Sequence, residues 1–209
     1  MELIMIRHGK TAGNIRKAYI GSTDEPLCEE GILELRNAIP DRTVRHVFVT
    51  DLKRTQQTAA FLFPCAEQEV LADLREMDFG VFENRTAEEM RDDAEYTNWV
   101  DTGCLAPCRE GESMDSFSDR VRNGLISLVK RLGQDADQAV IVTHGGVIMA
   151  LMSAFDENGG EFYSYWVRNL DGYRVNVSFD DRGGLVFRDS RIIRMGNGDP
   201  DTGEPAPLP

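Results

Sequence analysis

Two histidines of the chain stand directly after apolar, strand-like segments, and each is followed by glycine. His8 follows the run 2–6 and Arg7, and His144 follows the run 139–143. In open α/β sheets, ligands bind in the crevice outside the carboxyl ends of the strands. If these two strands are parallel neighbours, both imidazoles lie at that edge of the sheet, next to an arginine. The arrangement suggests chemistry on a phosphate group.

The imidazole of His8 could serve as a nucleophile toward phosphorus. A histidine is mostly neutral near pH 7, and attack needs one ring nitrogen without a proton. The other ring nitrogen must then donate to an acceptor such as a backbone carbonyl. A phosphohistidine formed in this way would divide one difficult displacement into two easier ones. Because a lone histidine at a strand end is more often structural, the interpretation depends on the charged groups nearby.

Several groups near the same sheet edge could bind phosphoryl oxygens. Arg7 carries a planar guanidinium fork whose charge does not titrate away. Arg54 falls in the first turn of the helix expected after a strand at 46–50, although an arginine there is also typical of a solvated helix. His144 supplies another donor. The helix that opens at Gly145 adds backbone N–H groups and a dipole that favours an anion.

A phosphomonoester also needs a proton for its leaving oxygen. Glu76, in the segment 74–80 after the third predicted strand, is the best candidate. Asp78 and Glu83 are alternatives that the sequence separates poorly from it. A general acid that works near neutral pH needs a pKa raised by burial or by the anionic substrate.

Strands and helices alternate along most of the chain, which predicts a mainly parallel sheet covered by helices on both faces. Asp51 and Ser113 are candidate N-caps, and Ile32, Leu35 and Ile39 are expected on one helix face. The last predicted strand could lie at an edge of the sheet. The predicted strands are 2–6, 46–50, 69–71, 139–143, 173–179 and 185–193, and the predicted helices are 29–38, 52–62, 86–99, 114–132 and 145–154.

The pattern predicts one domain over residues 1–195. Residues 81–112 interrupt the alternation between two core strands, and such an insertion is where a lid or a substrate wall is expected. Residues 196–209 are rich in glycine, proline and acidic side chains, which predicts a flexible tail.

The chain of 209 residues has 23 basic and 36 acidic side chains, a net charge of −13. Such a surface repels nucleic acid and anionic membranes, so neither is expected as a partner. It also repels a phosphorylated substrate, which makes the placement of individual arginines informative. With no apolar run of membrane-spanning length and no signal peptide, we expect a cytoplasmic protein.

The cysteines favour neither a disulfide framework nor a metal site. Four cysteines are too few for a disulfide scaffold in a chain of this length. Cys104 and Cys108 do not have a common zinc spacing, and no second Cys/His pair is near them. We therefore expect loop residues without a special role, and no metal.

Taken in order, these motifs resemble those of the histidine phosphatase, or phosphoglycerate mutase-like, superfamily. A tripeptide such as Arg-His-Gly is weak evidence alone, but an ordered set that spans residues 1 to about 155 is highly specific. The matching positions are Arg7-His8-Gly9 with Thr11 and Asn14, Gly21, residues 52–59 around Arg54, residues 76–80, Gly111-Glu112-Ser113 with Arg120, and residues 142–146.

The resemblance implies a three-layer α/β/α sandwich with one antiparallel strand, and a reaction without a metal or organic cofactor. It implies that His8 is the phosphorylated nucleophile. It also implies that Glu76 protonates the leaving group and then helps to activate water. The groups implied to bind the phosphate are Arg7, Asn14, Gly21, Arg54, His144 and Gly145.

Two positions depart from the family pattern. Lys10 stands where an acidic residue is usual, and Ile20 stands where mutases favour a hydroxyl side chain. The segments 19–27 and 74–80 are more similar to the phosphatase branch, including α-ribazole phosphatase-like members.

We therefore expect a phosphoric monoester hydrolase of the histidine acid phosphatase type. It would act on a small phosphorylated metabolite, as a monomer or homodimer. The alternatives are a phosphoglycerate mutase and, in a different class, a non-catalytic phosphate-binding regulatory module.

Overall fold

The computed structural model describes residues 1–133 and 136–195, and its centre is a mixed sheet of six strands. The strands are β1 (Glu2–Arg7), β2 (His46–Val49), β3 (Glu67–Val70), β4 (Gln138–Thr143), β5 (Asp171–Phe179) and β6 (Leu185–Arg194). They lie in the order β3-β2-β4-β1-β5-β6. The first four strands are parallel to one another, and β5 is antiparallel to both of its neighbours.

Helices connect most of these strands. They are α1 (Ala12–Arg16), α2 (Glu29–Asn37), α3 (Lys53–Leu62), α4 (Ala94–Asp101), α5 (Met114–Leu132) and α6 (Gly145–Phe155). Short 3₁₀ turns cover Ala72–Leu74, Gly80–Phe82, Glu88–Met90 and Phe162–Tyr165. The longest helix, α5, begins at the predicted cap: the Ser113 hydroxyl accepts a hydrogen bond from the backbone N–H of Ser116.

Alternate side chains of the central strands face opposite layers. Leu3 and Met5 of β1 belong to a buried cluster with residues of α5 and α6, whereas Ile4 and Ile6 belong to a cluster with residues of α2 and α3. This alternation follows from the period of two in a strand. The expected three-layer sandwich with one antiparallel strand is confirmed.

The strand order brings the two histidine segments together. β1 and β4 are parallel neighbours, and Arg7 at the end of β1 lies opposite Thr143 at the end of β4. His8 and His144 are the next residues along each strand, so both follow the same edge of the sheet. β2 lies on the other side of β4, so the start of α3 reaches this edge as well.

Two expected helix details are wrong. Helix α3 begins after Leu52, whose side chain makes no cap, and the carboxylate of Asp51 instead pairs with Arg75. Ile39 is 85% exposed, because α2 ends before Ala38 and the extended backbone there takes Ile39 off the helix face.

The expectation of one helix over 86–99 is also wrong. The carboxylate of Asp93 accepts hydrogen bonds from the backbone N–H groups of Glu95 and Tyr96, and a separate helix, α4, begins there. A side chain that bonds the backbone locally competes with a continuous helix. In the segment after β1, expected to be a polar loop, the capping box of Thr11 starts the short helix α1.

Cys104 and Cys108 lie in a loop as expected, but both side chains are buried. They belong to the core cluster that includes Tyr96 and Trp99. Burial raises the pKa of the Cys108 thiol to about 12. Both cysteines are therefore packing residues between α4 and the body of the protein.

The remaining predictions concern the periphery of the chain. β6 lies at an edge of the sheet, as predicted. The predicted flexible tail, 196–209, falls outside the described residues. Within 1–133 and 136–195, no helix combines the length and apolar character that crossing a bilayer requires.

Candidate active site

His8 is held in one orientation and one tautomer. Its Nδ1 lies 2.7 Å from the carbonyl oxygen of Gly9, and because a carbonyl only accepts, Nδ1 carries the proton and Nε2 keeps its lone pair. The ring is only 5% exposed. Burial, and then the charges of Arg54 and Arg7, hold the pKa of His8 well below its usual value. The imidazole is therefore neutral, with Nε2 free to attack.

The guanidinium of Arg7 has one nitrogen that is hydrogen-bonded within the protein and one buried nitrogen that is not. Its Nη1 donates to the carbonyl oxygen of Val167 at 2.8 Å. Its Nε is buried and has no hydrogen-bond partner among the described residues. A side chain at position 145 would come within 3.3 Å of this Nε, so Gly145 leaves room for the guanidinium at the start of α6.

Arg54 is fully buried and oriented by a neighbouring loop. Its Nη1 and Nη2 donate to the carbonyl oxygens of Thr23 and Gly21 at 2.7 and 2.8 Å. Its Nε lies 3.3 Å from Nδ1 of His144. Within the protein these contacts use three of the five N–H donors of the guanidinium. The sequence left open whether Arg54 is a solvated helix residue, and its burial excludes that alternative.

No carboxylate of the described residues lies within ion-pair distance of either guanidinium at this edge, that of Arg7 or that of Arg54. Glu76 is nevertheless near enough to interact with both through its charge. Burial is the largest cause that lowers the pKa of each. Buried charges in proteins are normally paired. Two guanidiniums at one point, one fully buried and one partly buried, make this edge locally positive in a chain of net charge −13, which favours an anion there.

His144 lies beside His8, with ring centroids 5.3 Å apart. Its Nδ1 faces the N–H of Arg54, so in the neutral ring Nε2 carries the proton and donates to the hydroxyl of Thr50 at 3.0 Å. Burial, and then Arg54 and His8, hold the pKa of His144 well below its usual value.

Glu76 is held at the start of α6. Its Oε2 accepts from the N–H of Gly146 at 2.9 Å, and its Oε1 accepts from the N–H of Met77 at 3.1 Å. Burial raises the pKa of Glu76, although these hydrogen bonds and the positive charges of Arg54 and Arg7 act in the opposite direction. The carboxyl group can therefore carry a proton at a higher pH than an exposed glutamate.

The two alternative acids make other contacts. Glu83 accepts from the backbone N–H groups of Gly21 and Ser22, each at 2.9 Å, so it holds the loop that orients Arg54. Asp78 accepts from the N–H of Gly80 at 2.9 Å. Neither side chain lines the cavity, described below, that Glu76 lines.

Asn14 lines the same cavity. Its side chain is held by Asn169, a residue that the sequence did not indicate. Asn169 donates through Nδ2 to the carbonyl oxygen of His8 at 2.8 Å and to Oδ1 of Asn14 at 3.2 Å. Asn169 is not part of a recognisable motif. Because it lies 161 positions along the chain from His8, no local pattern connects the two residues.

Arg120 supports the segment that carries Glu76. It donates to the carbonyl oxygens of Asp73, Arg75 and Glu76 at 2.9, 3.1 and 3.2 Å. Glu112 pairs with Arg120 at 2.6 Å. The family resemblance included Arg120, but nothing in its sequence context indicated this contact with Glu76.

A cavity of about 220 Å³ is lined by Arg7, Asn14, Glu76, Gly145 and Gly146 of this site, whereas His8, Arg54 and His144 are not part of its lining. No cluster of three or more His, Cys, Asp or Glu side chains in the described ranges is placed to hold a metal ion. The cavity is lined by Arg7, Asn14, Ala18, Tyr19, Ile20, Glu76, Met77, Phe79, Trp99, Cys104, Met114, Phe117, Gly145, Gly146, Met149, Phe162, Tyr163 and Trp166.

The fold is that of an α/β protein with positively charged groups at one edge of its sheet, and comparison with known families identifies the class to which it belongs. The model of the histidine phosphatase superfamily (branch 1) matches residues 3–186, and the chain belongs to this superfamily. The family expected from the ordered motifs is confirmed.

Relatives within the superfamily carry two kinds of name. A probable phosphoglycerate mutase of Enterobacter sp. (strain 638) is 31% identical over 163 residues, which cover 73% of this chain and 74% of the relative. The phosphoglycerate mutase structure from Thermus thermophilus is 29% identical, with a TM-score of 0.65, and the match covers 95% of this chain and 100% of that one.

The α-ribazole phosphatase from Shigella flexneri has a TM-score of 0.72 at 24% identity, with 90% of this chain and 95% of that chain covered. At this identity the likeness concerns the fold alone. The comparisons are consistent with a phosphatase or a mutase.

Proposed function

We propose that this protein is a phosphomonoesterase that hydrolyses a small phosphorylated metabolite through a phosphohistidine at His8. The observation that carries the proposal is the fixed imidazole. Its Nδ1–H is bonded to the carbonyl of Gly9, which leaves Nε2 free. The ring is close enough to Arg7 and Arg54 for their charges to lower the pKa of His8, and no carboxylate of the described residues lies within ion-pair distance of either arginine.

In the first step, Nε2 of His8 attacks the phosphorus. The N–P bond forms, the P–O bond to the ester oxygen breaks, and the proton of Glu76 moves to that oxygen. Arg7 and Arg54 hold the other phosphoryl oxygens with guanidiniums that are already in place. His144 joins in holding these oxygens when its Nε2–H turns away from the hydroxyl of Thr50. Donors that are already in place stabilise the charge of the transferring group without reorganisation.

In the second step, water takes the place of the departed alcohol. The carboxylate of Glu76 accepts a proton from the water as its oxygen attacks phosphorus. The N–P bond breaks, inorganic phosphate leaves, and both His8 and Glu76 return to their starting protonation states.

The supporting roles follow from position. Asn14 and Gly145 line the cavity next to Arg7, and we assign them to binding the phosphoryl oxygens. The N–H of Gly21 donates to Glu83 and its carbonyl accepts from Arg54. We therefore assign Gly21 to holding Arg54, in place of the direct phosphate contact expected from the sequence.

A phosphoglycerate mutase is the second candidate, and the names of the relatives from Enterobacter and Thermus thermophilus favour it. A mutase must keep the phosphoryl group on His8 until the substrate reorients, whereas a phosphatase releases it to water. Incubation with 3-phosphoglycerate separates the two, because a mutase forms the 2-isomer and a phosphatase releases inorganic phosphate.

The test of the proposal is to trap the intermediate. Enzyme mixed with ³²P-labelled substrate and quenched in alkaline denaturant should carry a label that is stable in alkali and lost in acid. Peptide mapping should place it on His8, and His8→Ala should carry none and have no turnover. Label on another residue, or no label while turnover proceeds, refutes the covalent mechanism.

A further inference from the structure

The cavity next to the proposed phosphate site has an aromatic wall that the reaction itself does not use. Tyr19, Phe79 and Trp99 contact one another edge to face, with ring centroids 5.1, 5.6 and 6.3 Å apart. The adjacent rings of Phe162 and Tyr163 also face the cavity and lie 5.0 Å apart. Separate segments of the chain thus supply rings to one surface.

The charge on the cavity is confined to one end. Arg7 and Glu76 are the charged side chains of its lining within the described residues, and both belong to the proposed phosphoryl-transfer site. A second anionic group on a substrate, such as the carboxylate of phosphoglycerate, would lose its hydration there without a cation of its own. A buried carboxylate without a partner is strongly unfavourable.

The cavity has room for a ring. Its volume is about 220 Å³, and an apolar cavity of about 150 Å³ is enough to bind benzene. Aromatic side chains prefer offset or edge-to-face contacts, which the rings of this wall can offer to a flat guest. The wall and the volume together fit a cyclic, uncharged group.

We infer that the substrate is a phosphomonoester whose organic part is an uncharged, ring-bearing group packed against this aromatic wall. The inference rests on the proposed phosphatase function, and it names the substrate class of that same site. The phosphate enters toward Arg7 and His8, and the ring remains among Tyr19, Phe79 and Phe162.

Three primary alkyl phosphates test the inference: ethyl phosphate, 2-phenylethyl phosphate and 3-phosphoglycerate. Each has a poor primary alkoxide leaving group, so kcat/KM differs mainly through contacts with the cavity. Burial of a ring predicts that 2-phenylethyl phosphate exceeds ethyl phosphate by roughly tenfold to a hundredfold. We expect 3-phosphoglycerate to react more slowly than ethyl phosphate.

Phe162→Ala should lower the ratio of kcat/KM for 2-phenylethyl phosphate to kcat/KM for ethyl phosphate several-fold. Tyr163→Ala, at a residue that is 37% exposed, provides the same test if Phe162→Ala folds poorly. The matched control is Phe61→Ala, which removes a ring that is 38% exposed on α3 outside the cavity and should leave the ratio unchanged.

The outcomes separate the two proposals. If phosphohistidine is trapped at His8 but ethyl phosphate or 3-phosphoglycerate is the better substrate, the inferred substrate class is wrong and the proposed function stands. An unchanged ratio in both aromatic variants also overturns the inference. If no substrate releases phosphate and His8 carries no label, the proposed function fails, and the inference fails with it.

Discussion

Gly146→Ala is a small substitution that should displace the proposed general acid. A Cβ atom at position 146 would lie 2.3 Å from Oε1 of Glu76, whereas ordinary contacts begin at 3.4 Å. The carboxyl group must therefore shift by about 1 Å, and its hydrogen bond to the N–H at position 146 is strained or lost. The backbone of α6 does not need to change, because alanine is a better helix former than glycine.

The expected cost depends on the leaving group. A displacement of about 1 Å in a reacting group can reduce a rate by about a hundredfold. We expect a loss of this order for ethyl phosphate, whose alkoxide needs the proton of Glu76. For p-nitrophenyl phosphate the loss should be under about tenfold, because p-nitrophenolate leaves with little help from an acid.

The assay measures only phosphorylation of His8, in single turnover with rapid quench, because Glu76 is also proposed to assist water in the second step. The control is Gly146→Ala combined with Glu76→Ala. Without the carboxylate there is nothing for the methyl group to displace. The double variant should therefore phosphorylate His8 at a rate within about twofold of that of Glu76→Ala alone.

Two results would refute this reasoning. Equal losses for both substrates in Gly146→Ala would show that the displaced group is not the proton donor. Full additivity of the glycine substitution with Glu76→Ala would show that the methyl group acts elsewhere, for instance on Arg7. After the first result, Asp78 and Glu83 become the next candidates for the acid; after the second, the acid role of Glu76 has to be tested by Glu76→Gln instead.

Three further predictions concern the surrounding groups. Arg54→Ala should lower kcat/KM by about a hundredfold, and Arg54→Lys should restore little because an ammonium cannot form the guanidinium fork; near-native kinetics in Arg54→Ala would contradict the proposed site. Arg120→Ala frees the backbone that carries Glu76, so it should slow phosphorylation from ethyl phosphate more than from p-nitrophenyl phosphate; equal effects would indicate a purely structural role. Because burial raises the pKa of Glu76, kcat/KM for alkyl phosphates should fall as pH rises through that pKa, and it should fall again in acid, below the usual histidine range, as His8 takes up a proton. Glu76→Gln should lack the alkaline limb, and its persistence would assign that limb to another group.

The sequence predicted the central part of the site because that part depends on short-range order. A strand followed by a histidine and glycine occurs twice, and two parallel strands with the same ending place His8 and His144 at one edge of a sheet. The position of Arg54 in the first turn of the next helix is equally local. In each case the period of the element determines where the side chain lies.

What the sequence could not predict depends on contacts between distant segments. The burial of Arg54 requires the loop carbonyls of Gly21 and Thr23, and the role of Asn169 requires a turn that lies far along the chain from His8. The start of α4 at Asp93 was missed because an aspartate within an acidic helical pattern does not reveal that it will cap. Burial of Cys104 likewise depends on the tertiary packing of the core cluster.

The hydrogen bonds of Arg54 also constrain how this protein can evolve or be redesigned. The guanidinium that would bind phosphate also holds the carbonyl groups of the loop 21–23, and Glu83 holds the backbone N–H groups of the same loop. Tyr19 of the aromatic wall lies two residues before this loop. A substitution there that moves the loop would therefore alter the position of Arg54 as well as substrate specificity. The turn Phe162–Tyr165 supplies rings to the cavity from a distant part of the chain and contributes none of the proposed catalytic groups. Substitutions in that turn should therefore change substrate preference most readily. The loop 21–23 should accept the fewest substitutions in variants that remain active.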